Sequence, residues 1–119
     1  MSDREAIEAT IRDYIDGWYT GDVARMDRCL HDGLVKRTLA GADAPGDLRE
    51  LTKQRMVDLT ASGGGEDPNA PGEIVVHDIY GDIASGHVLS KEYLDYIHLA
   101  RTSDGWKITN ILFKTRDES

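Results

Sequence analysis

The sequence predicts an α+β domain in which three helices, all in the amino-terminal half, pack on one face of a curved, mostly antiparallel sheet. Two observations carry this expectation. Apolar residues recur at spacings of three and four in the first half of the chain, whereas the second half is a series of apolar runs separated by Gly-Asp and Asp-Gly turns. The two kinds of segment come in succession rather than in alternation, which is the order of an α+β fold and not of a parallel α/β one.

The first helix begins at Asp3, because Ser2-Asp3-Arg4-Glu5 fits a capping box in which Ser2 and Glu5 satisfy each other's backbone amides. Ile7, Ile11, Tyr14, Ile15 and Trp18 then form one stripe, and Glu8 and Arg12 are spaced to pair on the opposite face. Thr20-Gly21 stops it. Asp22 caps a short second helix that turns Val23, Met26 and Leu30 inward and ends at His31-Asp32-Gly33. A first strand is expected over Leu34 to Leu39, a loop over Ala40 to Asp47, and a brief strand over Leu48 to Leu51. Thr52 caps a third helix with Arg55, Met56 and Leu59 inward, ending by Ser62. Residues 62–72 are dense in glycine and proline and read as an exposed, mobile loop. Four strands follow: Glu73 to Tyr80, Ile83 to Ser90, Tyr93 to Arg101 and Trp106 to Phe113.

A chain of 119 residues with 39% hydrophobic and 30% charged residues has the size and composition of one globular domain. No apolar run approaches the length of a membrane span, and the amino terminus lacks the apolar stretch of a secretory signal, so a cytoplasmic location is expected. The net charge of −8 repels phosphate, which disfavours nucleic acid and anionic membranes as partners. Cys29 is the only cysteine; it rules out an intrachain disulfide and reads as a buried, inert thiol. His31, His77, His87 and His98 do not pair at a metal-binding spacing, and no glycine-rich phosphate cradle is present, so neither metal nor cofactor is expected. His31 is placed to cap the second helix; His77 and His98 fall on the outward face.

Four segments, Tyr14-Ile15-Asp16-Gly17-Trp18-Tyr19-Thr20-Gly21-Asp22, Leu30-His31-Asp32, Asp95-Tyr96-Ile97-His98-Leu99 and Gly105-Trp106-Lys107-Ile108, resemble in order and separation the nuclear transport factor 2-like superfamily, and within it the branch named for lumazine binding. The resemblance implies a cone: three helices lining the concave side of a strongly curved sheet, with a small-molecule cavity between them. Ketosteroid isomerases share the superfamily, and the resemblance puts Tyr14 and Asp95 near their two oxyanion donors. Their basic aspartate falls at about Arg37, which cannot accept a proton. The isomerase reaction is therefore disfavoured, although cyclases and dehydratases of the superfamily place their acids and bases elsewhere.

Tyr14, Trp18, Arg37, Met56, Asp95, Ile97 and Trp106 are the candidate ligand-binding residues, expected to converge inside the cone; Tyr14 and Asp95 are also the candidates for catalysis. Each has a structural alternative. Tyr14 and Trp18 lie one turn apart on a stripe that equally suits packing. Asp95 shares a strand face with Tyr93, Ile97 and Leu99, where a carboxyl must be protonated, paired or hydrogen-bonded. Alternation with Val35 and Leu39 turns Arg37 inward as its partner, unless Tyr14 fills that role. A raised Asp95 pKa would leave a protonated donor beside Tyr14, and a lowered one with a close Arg37 would leave a structural ion pair.

The strand Glu73 to Tyr80 is apolar on both faces, with Ile74 and Val76 opposed to Val75 and Ile79, so a homodimer through the convex face around Tyr96 and His98 is expected. Three functional classes remain open. The first is a binding protein for a planar or polycyclic metabolite. The second is an isomerase, cyclase or dehydratase using Tyr14 and Asp95. The third is a dimeric interaction module with a filled core.

Overall fold

The computed structural model describes residues 1–65 and 72–116; residues 66–71 of the glycine-rich segment lie outside the described residues. The elements in order are α1 (Asp3–Thr20), α2 (Val23–Cys29), β1 (Leu30–Leu39), β2 (Leu48–Thr52), α3 (Lys53–Ala61), β3 (Glu73–Tyr80), β4 (Ile83–Leu89), β5 (Tyr93–Thr102) and β6 (Gly105–Thr115). The six strands form one sheet in the order β2-β1-β6-β5-β4-β3, antiparallel throughout except for the parallel β1–β6 pair. Among the described residues no helix is long and apolar enough to cross a membrane.

The helices start and stop as their side chains dictate. Ser2 Oγ accepts from the Glu5 amide at 3.1 Å while the Glu5 carboxylate accepts from the Ser2 amide at 3.3 Å, closing the capping box. Gly21 ends α1 in the left-handed region, φ 70°. Asp22 and Thr52 each accept from the amide three residues on, capping α2 and α3. Arg12 pairs with Asp16 at 3.7 Å and donates to the Gly72 carbonyl at 3.1 Å, rather than settling on the expected Glu8.

Several expected boundaries move. Helix α2 ends at Cys29 and β1 begins at once at Leu30, so His31 is a strand residue whose Nδ1 accepts from the Gly33 amide at 2.8 Å, not a helix cap. Met26, Cys29 and Leu30 are buried, but Val23 is half-exposed at the start of the helix. In α3 the inward residues are Met56 and Thr60, whose hydroxyl donates to the Met56 carbonyl; Arg55 points to solvent. The described ends of the glycine-rich segment are packed down, with the Gly65 amide donating to the Trp18 carbonyl at 3.1 Å and Gly72 buried. Cys29 is buried, its thiol pushed up to about 12 chiefly by desolvation, as befits an inert core residue.

The sheet curves round α1 through three breaks in register, between Leu30 and Val35, between Val76 and Asp78, and between His98 and Leu99. The break in β3 reverses the side-chain parity after Val76. Ile79 therefore packs against the core on the same side as Ile74 and Val76, a correction to the strictly alternating reading. Along β6 the extra residue lets Ile108 and Ile111 both face inward. Ile7, Ile11, Tyr14 and Ile15 of α1 lie in the resulting hollow with Val88, Ile97, Leu99, Ile108 and Ile111, all 3% exposed or less. Tyr19 secures the far end: its hydroxyl donates to Ser90 Oγ at 3.1 Å and accepts from the Glu92 amide at 3.2 Å, holding the β4–β5 bend against the helix.

Gly86 marks the closest approach of helix and sheet. A methyl group there would lie 2.7 Å from the Val75 carbonyl oxygen and 3.5 Å from Ile11 Cδ1, and the backbone contact cannot be relieved by a rotamer. Gly86→Ala is expected to destabilise the fold by about 1–3 kcal/mol, the usual cost of overpacking; an unchanged urea midpoint would refute this account of the curvature.

Candidate functional site

One cross-strand row and its neighbour decide which β1 side chains reach the interior. The row Arg37–Leu112–Tyr96–His87–Val75 runs across the sheet on its convex side, where Leu112, Tyr96 and Val75 are each about half exposed. The adjacent row Lys36–Ile111–Ile97–Gly86–Val76 is buried throughout. Arg37 therefore points outward and pairs with Glu50 of β2 at 3.3 Å, and the inward place that the sequence reading gave to Arg37 is taken by Lys36. The reason is parity: Leu30, Leu34 and Lys36 are the buried residues of β1, so Val35, Arg37 and Leu39 fall on its other face.

Between the carboxyl-terminal half of α1, α3 and the β1–β6–β5 part of the sheet lies a cavity of about 140 Å³. Tyr14, Ile15, Lys36, Met56 and Asp95 form its buried wall, and Trp18, Leu51, Leu59, Tyr93 and Phe113 are its half-buried border. Of the expected residues, Tyr14, Trp18, Met56 and Asp95 meet here. Ile97 is buried but does not border the cavity. Trp106 sits at the opposite end of α1, its Nε1 donating to Asp3 Oδ1 at 3.4 Å, because seven residues of strand, roughly 20 Å, separate it from Phe113.

Three polar groups form a chain in this wall. Lys36 Nζ donates to the Tyr14 hydroxyl at 2.7 Å, and that hydroxyl donates to Asp95 Oδ2 at 2.7 Å; Nζ and Oδ2 are 4.0 Å apart. The lysine nitrogen also stands 4.5 Å from the Phe113 ring centre, 5.2 Å from that of Tyr14 and 5.9 Å from that of Trp18. Among the described residues the buried indole N–H of Trp18 has no hydrogen-bond partner. Sequence reasoning found Tyr14 and Asp95 and missed Lys36. The available signal was the alternation of Leu34 and Lys36, which predicts an inward lysine once Asp95 is known to be inside.

Burial sets the ionisation. Desolvation raises the Asp95 carboxyl above its ordinary value, against the opposing pull of Lys36 and the Tyr14 hydrogen bond. Desolvation lowers Lys36, against the pull of Asp95, and raises Tyr14 well above its usual range. Both shifts of the charged pair run towards the neutral forms. The direction for Asp95 matches the protonated-donor alternative, but its cationic neighbour is Lys36 and not Arg37.

These shifts have opposite consequences for stability. A native Asp95 that holds its proton more tightly than the unfolded chain contributes stability in full below the ordinary carboxylate value of about 3.8, and this is lost as pH rises through the native value. A native Lys36 that releases its proton more easily costs stability below its native value, and the cost disappears as pH rises towards about 10.5. Lys36→Met removes the cation that restrains Asp95, so its urea midpoint, relative to the parent, is expected to fall further between about pH 4 and pH 8. Asp95→Asn is expected to flatten that fall; the same pH slope in Asp95→Asn and parent would show that Asp95 does not titrate as described.

Residues 2–114 match the model of a protein family described as "Putative lumazine-binding". No curated protein matches the chain significantly. Among solved structures, an NTF2-like protein of unknown function from Shewanella baltica is similar with a TM-score of 0.84 at 18% identity, covering 97% of this chain and 94% of that one. NTF2-like proteins of unknown function from Silicibacter pomeroyi (TM-score 0.79, 18% identity, 98% and 100% coverage) and Methylobacillus flagellatus (TM-score 0.79, 20% identity, 97% and 93% coverage) are also similar. At such identities the likeness is one of fold. The family match spans nearly the whole sequence and the NTF2-like fold agrees with it, so this chain belongs to that "Putative lumazine-binding" family.

Proposed function

We propose that the protein binds a small planar molecule in the cavity between α1, α3 and the sheet, with a ligand oxygen received at Lys36. The observation that carries this reading is the Lys36–Tyr14–Asp95 chain opening on an aromatic-lined space. A buried lysine with one hydrogen bond committed to Tyr14 keeps further donors for a ligand, and the rings of Trp18, Tyr93 and Phe113 suit a flat apolar body. Size narrows the class: a dry cavity of roughly 150 Å³ takes one benzene ring, so 140 Å³ favours a single ring over a polycyclic ligand. The same volume argues against a module whose core is merely filled.

The raised Asp95 pKa supports a second reading, an isomerase, cyclase or dehydratase with Tyr14 and Asp95 as oxyanion donors. It ranks lower because the Tyr14 proton is directed at Asp95 and away from the cavity, so the two donors would have to reorient. The convex face, with Val75, Tyr96 and Leu112 exposed around the neighbouring, tilted His77 and His87 rings, supports the proposal of a homodimer.

Benzoate serves as the first probe. In a Trp106→Phe background, where Trp18 is the remaining indole, benzoate is expected to quench fluorescence and benzylammonium is not. Tyr14→Phe and Asp95→Asn are each expected to weaken benzoate binding by about tenfold, the worth of one buried hydrogen bond. If both variants fold normally and bind as tightly as the parent, the assignment of these residues to the site fails. For the dimer, light scattering is expected to give twice the 13.2 kDa of one chain, reduced to one chain by Tyr96→Glu; a parent mass of one chain at micromolar concentration would end that proposal.

A further inference from the structure

Lys36 is a primary amine in the wall of a cavity large enough for a ring, and it is only 8% exposed. Its nitrogen is in direct hydrogen-bond contact with a hydroxyl that is itself bonded to a buried carboxyl. Those are the parts needed for carbonyl condensation: a nucleophile shielded from water, and a proton carrier within reach of the atoms that exchange protons.

We propose that Lys36 captures small planar aldehydes as reversible imines in this cavity, with Tyr14 and Asp95 carrying the protons. The proposal rests on the reading of the cavity as a ligand site and adds covalent chemistry to it. The Nζ lone pair attacks the carbonyl carbon, forming the C–N bond and opening the C=O bond to an alkoxide. A proton leaves nitrogen for that oxygen, giving a carbinolamine. Asp95 then supplies a proton through the Tyr14 hydroxyl, the C–O bond breaks, and water departs as nitrogen forms the C=N bond. The proton remaining on the iminium nitrogen returns through Tyr14 to the Asp95 carboxylate. One aldehyde and one amine give one imine and one water, with no oxidant or reductant consumed.

Lys53 has a different setting. Lys53 lies 3.0 Å from Asp32 and 3.5 Å from Asp27, and these carboxylates hold its pKa up against partial burial. The ammonium form it keeps has no lone pair for attack. Desolvation shifts Lys36 the other way, which increases the nucleophilic free amine at neutral pH.

Parent protein incubated with benzaldehyde and cyanoborohydride near neutral pH tests this, because the reductant fixes an imine as a secondary amine. Peptide mapping is expected to find the added mass, that of the aldehyde less one oxygen, on Lys36 in clear excess over Lys53, because a lowered lysine pKa raises the share of free amine and a raised one reduces it. Benzoate, which has the ring and oxygens but forms no imine, is expected to compete with the labelling. Lys36→Arg, which has no primary amine, is expected to lose the adduct. Labelling spread evenly over the lysines while benzoate still quenches Trp18 would overturn the imine proposal and leave the binding reading intact. Even labelling with no benzoate quenching would remove both.

Discussion

The seating of α1 in the bend of the sheet is the constraint on which the rest of the molecule depends. A single 18-residue helix supplies Ile7, Ile11 and Ile15 to the core and Tyr14 to the polar chain, so the core and the candidate site share one rigid element. A flat sheet could not touch all of that face, and the curvature comes from the register breaks in β1, β3 and β6 together with the absence of a side chain at Gly86. The hydroxyl of Tyr19 then fixes the bend between β4 and β5 to the same helix.

The helix also explains how a lysine is tolerated inside so small a domain. Burying an ammonium alone would be prohibitive, and a lone carboxyl equally so. Tyr14 stands between them, accepting from one and donating to the other, which satisfies the hydroxyl in both roles. Three aromatic rings around Nζ add an electrostatic attraction that water would otherwise supply. A polar chain of this kind is a weak source of stability, because hydrophobic groups of the same volume would fold at least as well. Its value lies in presenting donors to an otherwise apolar space, which is the basis of the functional reading above.

Charges elsewhere do a different task. Asp13 receives Arg25 at 3.0 Å and Arg28 at 2.8 Å, tying α2 to α1; burial opposes ionisation there, but the two guanidinium hydrogen bonds outweigh it and hold the carboxyl below its ordinary value. These pairs lie at the outer side of the helices, away from the cavity, and orient the short α2 whose own core contribution is limited to Met26 and Cys29.

The sequence by itself determined the local structure. The capping box at Ser2, the caps at Asp22 and Thr52, the glycine after Thr20 and the turns at Gly81-Asp82 and Asp104-Gly105 act over a few residues, and the elements they delimit were legible with small errors at the ends. The resemblance then made the cone itself, and Tyr14 and Asp95 inside it, readable. What only the tertiary structure decided was parity. A bulge inserts one residue at a place no local signal marks and exchanges the two faces of everything beyond it, so Ile79 turned inward; in β1 the packing chose the face that carries Leu34 and Lys36, which brought Lys36, not Arg37, to Asp95. The same limit applies to Trp106, whose inward face was predicted correctly while its distance along the strand put it at the other end of the helix. Side-chain face alternates with every residue, so a one-residue irregularity that leaves the fold unchanged is enough to change which groups face the cavity.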